Sequence, residues 1–199
     1  CPRHVQWLDG EPISDVLAMG GVVDRYRRLA PDGRPVATGV AAVADAWACM
    51  NPSNGRGMTL ALVHARLLRD LLRETDPADH DKFARRFDEL TTQAVEPLYR
   101  ATLWYDRHRL AEIDADVAGM PYRTEDRRWL VSKALFAASF GDPDLTRAYT
   151  AVAAFVATPD EVLGAPGVLD RVVALGMAAP PYPLPGPTRG ELLESLERH

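Results

Sequence analysis

The chain has 199 residues, 47% of them hydrophobic and 26% charged, with 23 basic side chains against 28 acidic ones and a net charge of -5. About 200 residues bury a sizeable core in roughly one or two domains, and the mild acidity argues against general nucleic-acid binding, which needs a basic surplus. No apolar run reaches the roughly 20 residues that span a bilayer, so no membrane span is expected.

Two cysteines, Cys1 and Cys49, make no disulfide scaffold, and a reducing, cytoplasmic location is expected. Cys1 is followed by no signal-peptide pattern, and the chain reads as a piece of a longer one. Short β-leaning segments come first: Val5–Leu8, Asp15–Met19 and Val22–Tyr26, separated by Asp9-Gly10, Pro12 and Gly20-Gly21. Pro31-Asp32-Gly33 is a turn signal. The apolar stretch Val36 to Ala44 is long enough for one buried strand. Such a strand needs neighbours on both sides, more than the preceding residues supply, so part of its sheet is expected outside this chain.

From Met58 the spacing is helical. Leu60, His64, Leu67, Leu68, Leu71 and Leu72 recur at steps of three and four and mark one apolar face, ending near Thr75. Asp76-Pro77 reads as the cap and first-turn proline of a second helix carrying Phe83, Phe87, Leu90 and Val95. Pro97 should break or kink it. A third helix runs from Leu98 to about Val117 and stops at Gly119-Met120-Pro121. Thr124 to Phe140 reads as a fourth, capped by Thr124. Asp142-Pro143 and Thr158-Pro159 repeat the cap–proline start ahead of short helices near Leu145–Ala157, Glu161–Leu163 and Val168–Leu175. Pro180 to Pro187 is a tether, and Thr188 with Glu191 is a capping box for a last helix.

The expected fold class is mixed α/β, predominantly helical: a few N-terminal strands left from a larger sheet, a strand–loop–helix joint, then an α-helical body. The expected divisions are 1–75, the helical 76–178, the tether 179–187 and the terminal helix 188–199.

The segment richest in chemistry is Gly39 to Leu60, where a buried strand is expected to end in Asp45 and a loop of Asn, Pro and Gly leads into an amphipathic helix. Open α/β sheets place ligand contacts at the carboxyl ends of strands. Gly55 and Gly57 let backbone approach a ligand, and the start of the following helix offers unpaired N–H groups to an anion. The residues point to an anion or dinucleotide site. They fit equally a joint in which Asp45 only caps a turn and the glycines only satisfy backbone angles.

Val43-Ala44-Asp45-Ala46 and Pro52-Ser53-Asn54-Gly55-Arg56-Gly57-Met58, followed by a helix with Leu60, Ala61 and His64-Ala65, resemble the second FAD-binding motif of the para-hydroxybenzoate hydroxylase-like flavoproteins. That superfamily includes aromatic monooxygenases, halogenases and geranylgeranyl reductases. Its pattern is a buried strand, Gly-Asp-Ala, a short loop, Pro, then Gly and a long helix. The resemblance covers residues 1–75. One residue departs from it: Ala44 stands where the family usually has Gly.

The resemblance implies that Asp45 accepts a hydrogen bond from a ribityl hydroxyl of FAD and that Pro52 flanks the isoalloxazine ring. Gly55 allows the loop close to the cofactor, and Gly57 and Met58 present N–H groups to the flavin N1–C2 carbonyl edge. In similar enzymes NAD(P)H reduces the flavin, which then acts on a small-molecule substrate. The ADP half of FAD is held in that family by a Gly-x-Gly-x-x-Gly strand–turn–helix, which occurs nowhere in this chain. The chain then reads as the C-terminal portion of a FAD-dependent oxidoreductase, monooxygenase-like and inactive alone, partnered by the N-terminal FAD-binding portion of the same protein. No catalytic residue is assigned. The alternative is a non-catalytic helical binding or assembly module with a degenerate flavin loop.

Other candidates carry less. Asp79-His80-Asp81 and Asp106-x-His108-x-x-x-Glu112 could be metal ligands, but arginines nearby and the lack of a third convergent ligand favour solvated helix faces. His64 reads as a core histidine and Cys49 as incidental. Trp104, Tyr105, Tyr122, Trp129 and Phe136 fall at helical spacings and read mostly as core.

Overall fold

A strand forms only where a second strand completes its ladder, and that requirement is met once in the computed structural model, which describes residues 5, 8, 10–18, 20–21, 23–180 and 187–198. β1 (Arg25–Tyr26) runs antiparallel to β2 (Ala48–Cys49), with Arg25 opposite Cys49 and Tyr26 opposite Ala48. Residues 36–44, expected as a buried strand, form none. Gly39 turns into the left-handed region at φ 73°, and Val36 and Val40 are 73% and 60% exposed. An apolar run becomes a buried strand only when both its edges are paired, and no described segment pairs this one. The strand of the strand–loop–helix joint is therefore β2, which follows Asp45. The earlier β-leaning segments form no strand over 10–18 and 20–21, and residues 6, 7, 9, 19 and 22 lie outside the described residues.

The remainder is predominantly helical, with eight α-helices among the described residues. α1 (Gly57–Glu74) buries Leu60, His64 and Leu71 from its apolar stripe. α2 (His80–Ala94) is capped by Asp79, whose carboxylate accepts the Lys82 N–H. Asp76, the cap expected from sequence, instead closes a turn on the Ala78 N–H. α3 (Glu96–Val117) follows a break at Val95 and carries Pro97 in its first turn, where a missing N–H costs nothing.

α4 (Arg127–Ala138) starts from Asp126, which accepts the Arg128 N–H, while the Thr124 hydroxyl accepts the N–H of Asp126 itself. The cap thus falls two residues later than the sequence signal. α5 (Pro143–Ala153) and α6 (Pro159–Leu163) begin at the expected caps Asp142 and Thr158. α7 spans Val168–Gly176 and α8 spans Arg189–Glu197, the latter opened by the Thr188–Glu191 capping box. Residues 181–186 of the expected tether lie outside the described residues. Among the described residues no helix is long and apolar enough to cross a membrane.

Two apolar centres hold these elements. The first buries Trp47, Ala48, Met50, Leu60, Val95 and Tyr99, so the β ribbon and the starts of α1 and α3 share one core. Tyr26 joins it: its ring stands edge-on to Trp47 and stacks on Tyr99, and its hydroxyl donates to Glu96 across 2.6 Å. The second centre packs α4, α5 and α7 through Ala134, Leu135, Ala138, Leu145 and Val172. Burial of a side chain such as Leu60 or Leu145 contributes about 1.5–3 kcal/mol.

Candidate functional site

Ala44 opens a tight turn, Ala44–Ala46, with φ at 53°. A left-handed backbone costs a residue with a Cβ about 1–2 kcal/mol. The turn is closed by the Ala46 N–H on Val43 and the Trp47 N–H on Ala44. Trp47 anchors it, because its ring is buried edge-on to Tyr26, His64 and Tyr99. Core packing of the tryptophan holds the alanine in glycine's conformation.

Asp45 is exposed, and its carboxylate has no hydrogen-bond or ion-pair partner among the described residues. Its backbone carbonyl accepts weakly from Arg27 at 3.5 Å. The turn that carries it packs against α1.

That loop begins at Asn51, whose side chain accepts the Ser53 N–H and caps a short turn, Pro52–Asn54. Gly55 follows in the left-handed conformation at φ 64°. α1 then starts without a side-chain cap. The N–H groups of Gly57, Met58 and Thr59 have no acceptor among the described residues, and the first bond is from Leu60 to the Arg56 carbonyl. Pro52, Gly55 and Met58 are exposed and Gly57 half-buried. A Cβ built on Gly55 or Gly57 would meet nothing within 4 Å. These four residues form one open strip leading to the positive end of the α1 dipole.

Two side chains that sequence reading did not connect with the loop hold it in place. Asp106 of α3, 5% exposed, accepts from the Asn54 side-chain amide at 3.0 Å, and its Oδ2 is buried with no partner. Burial pushes its carboxyl above the ordinary range. Arg56 donates through Nε to the Ala153 carbonyl at 3.2 Å and through Nη1 to the Thr102 hydroxyl at 3.5 Å. Spacing marked Asp106 only as a metal-ligand candidate with His108 and Glu112 and gave no signal for its bond to Asn54, 52 residues away. Arg56 had one, since it lies between the two glycines of the motif.

Deeper in the core, His64 stacks on Phe87 and stands edge-on to Trp47. Its Nε2 lies 3.0 Å from the Thr91 hydroxyl, its Nδ1 is buried without a partner, and burial pushes its pKa down to about 4. On the far side of α3, His108 uses both ring nitrogens, one on the Tyr122 hydroxyl at 2.8 Å and one on Asp126 at 3.3 Å. Its ring stacks on Trp129, and the Trp104 indole donates to the same Asp126. The Arg128 guanidinium beside Asp126 holds that carboxyl well below the usual carboxylate range. This cluster ties the α3–α4 connection to α3. Among the described residues no three His, Cys, Asp or Glu side chains converge as metal ligands.

No family model, no curated protein and no solved structure matches this chain.

Proposed function

We propose that the chain is the C-terminal portion of a FAD-dependent oxidoreductase, monooxygenase-like, with NAD(P)H as the reductant and a small molecule as substrate. The observation that carries this reading is the backbone of Ala44. It is left-handed where the resembling superfamily keeps glycine, it directly precedes an exposed carboxylate, and its turn packs on a helix with an uncapped start.

The donor and acceptor set fits the ribityl chain and ring edge of a flavin. Asp45 supplies an acceptor for a ribityl hydroxyl, Pro52 flanks the ring, and the bare Cα positions of Gly55 and Gly57 leave room for close approach. The N–H groups of Gly57 and Met58, at the positive end of α1, stabilise negative charge on the N1–C2 edge. Bound flavin supplies the redox chemistry, while these residues bind it, orient it and hold its charge. The chain has no Gly-x-Gly-x-x-Gly for the ADP half. The reading therefore includes an N-terminal FAD-binding portion of the same protein as partner, a cytoplasmic location, and no activity for this chain alone.

The test is a visible absorption spectrum of the protein purified with the coding sequence that naturally precedes Cys1. A flavin spectrum bleached by NADH or NADPH is expected. A colourless, folded protein that ignores added FAD would overturn the reading and leave a non-catalytic helical binding or assembly module, with Asp45 as a turn residue.

A further inference from the structure

We infer that the cleft between the loop into α1 and helix α5 binds the oxyanion, phosphate or carboxylate, of a small molecule, with Arg56 as its cation. The inference goes beyond the flavin reading and stands without it.

The cleft has a volume of about 370 Å³, with Asn54, Arg56 and Thr59 on one wall and Tyr149, Thr150 and Ala153 on the other. Its lining includes a cation and hydroxyls and no carboxylate. Among the described residues the hydroxyls of Thr59, Tyr149 and Thr150 have no hydrogen-bond partner, so all three are free to donate.

Arg56 is held in an unusual state. Its guanidinium lies 4.8 Å from the centre of the Phe155 ring and 5.7 Å from that of Tyr105, and its hydrogen bonds go to a neutral carbonyl and a neutral hydroxyl. Arg28, Arg100, Arg128 and Arg171 all pair with carboxylates, whereas Arg56 forms no ion pair among the described residues. Burial lowers its pKa, and the nearby Asp106 carboxylate, which forms no ion pair with it, offsets that only in part. Both Nη2 hydrogens and one on Nη1 remain without a protein acceptor. Two oxygens of a carboxylate or a phosphate match that unused edge.

The wall behind the arginine is strained. Phe155 has φ at 58°, at the end of α5, where helices usually place glycine. A bulky residue keeps that conformation only where surrounding contacts impose it, and here its ring covers Arg56. A cationic ligand would be repelled by the guanidinium, and a neutral one would gain no charge-assisted bond from it. An oxyanion takes up the N–H groups that neither the protein's acceptors nor the more distant Asp106 carboxylate uses.

The experiment is calorimetric titration of the natural full-length protein with inorganic phosphate and with acetate, repeated on Arg56→Gln and on the double variant Thr59→Val/Tyr149→Phe. Saturable binding of one probe, weakened about tenfold or more in Arg56→Gln and several-fold in the double variant, is expected. Non-saturating heats, or binding equal in wild type and Arg56→Gln, would mean an adventitious ion only and overturn the proposal. Thermal melting checks the fold, and should Arg56→Gln not fold, the double variant decides by the same criterion.

A paired titration with FMN and riboflavin separates the sources. Tighter FMN binding that disappears in Arg56→Gln assigns the oxyanion to a cofactor phosphate. Equal FMN and riboflavin binding, with Arg56-dependent phosphate or acetate binding intact, assigns it to a separate ligand. Failure of the flavin reading leaves the phosphate and acetate titrations untouched.

Discussion

Asn54 donates its side-chain amide to Asp106 across 3.0 Å, which fastens the loop entering α1 to α3, 52 residues further along the chain. The helical body therefore sets where the loop lies. The acceptor is costly, because Asp106 is buried with one oxygen unpaired.

Replacing Asp106 with Asn keeps an acceptor for Asn54 and removes the buried charge. Burial raises the folded pKa of Asp106 above the 3.8 of an ordinary Asp. Its carboxyl is thus compatible with folding at low pH, and stability is lost as pH rises through the raised value. The variant is expected to be more stable than wild type by about 1 kcal/mol at neutral pH, with no gain near pH 3. Urea melts at the two pH values measure the difference. A destabilised variant at neutral pH would show that Oδ2 has a partner in solution.

Ala44→Gly relieves the left-handed backbone at φ 53°. Glycine also raises the entropy of the unfolded chain, which offsets part of the gain. A net stabilisation of about 0.5–1 kcal/mol is expected, against a loss for Ala44→Val, whose branched side chain tolerates positive φ worst. Chemical denaturation of the three proteins gives the ranking, and a wild type more stable than Ala44→Gly would contradict it.

His64 carries a pH dependence of its own. Its folded pKa of about 4 lies below the 6.5 of an ordinary histidine, so the unfolded chain takes up a proton that the folded one refuses. The stability it supports is complete above about pH 6.5 and falls as pH drops towards 4, by on the order of 3 kcal/mol. His64→Gln should lack this part of the acid loss. Identical slopes for the two proteins between pH 4 and 7 would remove His64 as the cause.

Gly57 and Asp45 separate binding from folding. A Cβ at Gly57 meets nothing within 4 Å, so Gly57→Val should fold normally and, in the full-length protein, block flavin approach. Asp45→Ala should lower FAD affinity by about 0.5–1.5 kcal/mol, the value of one hydrogen bond. Normal flavin content in the valine variant would displace the loop from the cofactor site.

Gly176 tests the second core. A Cβ there would lie 2.0 Å from the Ala134 carbonyl oxygen, so α4 and α7 touch through backbone. Gly176→Ala must push the helices apart, at a cost of about 1–3 kcal/mol. A melting temperature equal to wild type would show that the helices have room to slide.

Much of the helical body was legible because its signals are local. The apolar stripe of α1, the break just ahead of Pro97, and the caps at Asp142, Thr158 and Thr188 act within about four residues of themselves. Where two cap signals compete, as Asp76 with Asp79 or Thr124 with Asp126, sequence names the region and the turn geometry selects the residue. The loop residues Pro52, Gly55, Gly57 and Met58 were likewise visible, as a contiguous motif.

Contacts between distant segments decided the rest. An apolar run at 36–44 satisfies every local criterion for a strand and forms none, because ladder hydrogen bonds require a neighbour. Strain at Ala44 and Phe155, the unpaired Arg56 and the Asn54–Asp106 bond exist only once Trp47 and α3 are packed. Local spacing determines which helices can form. Burial and long-range pairing determine which charges lose water, and with them where a ligand has something to gain.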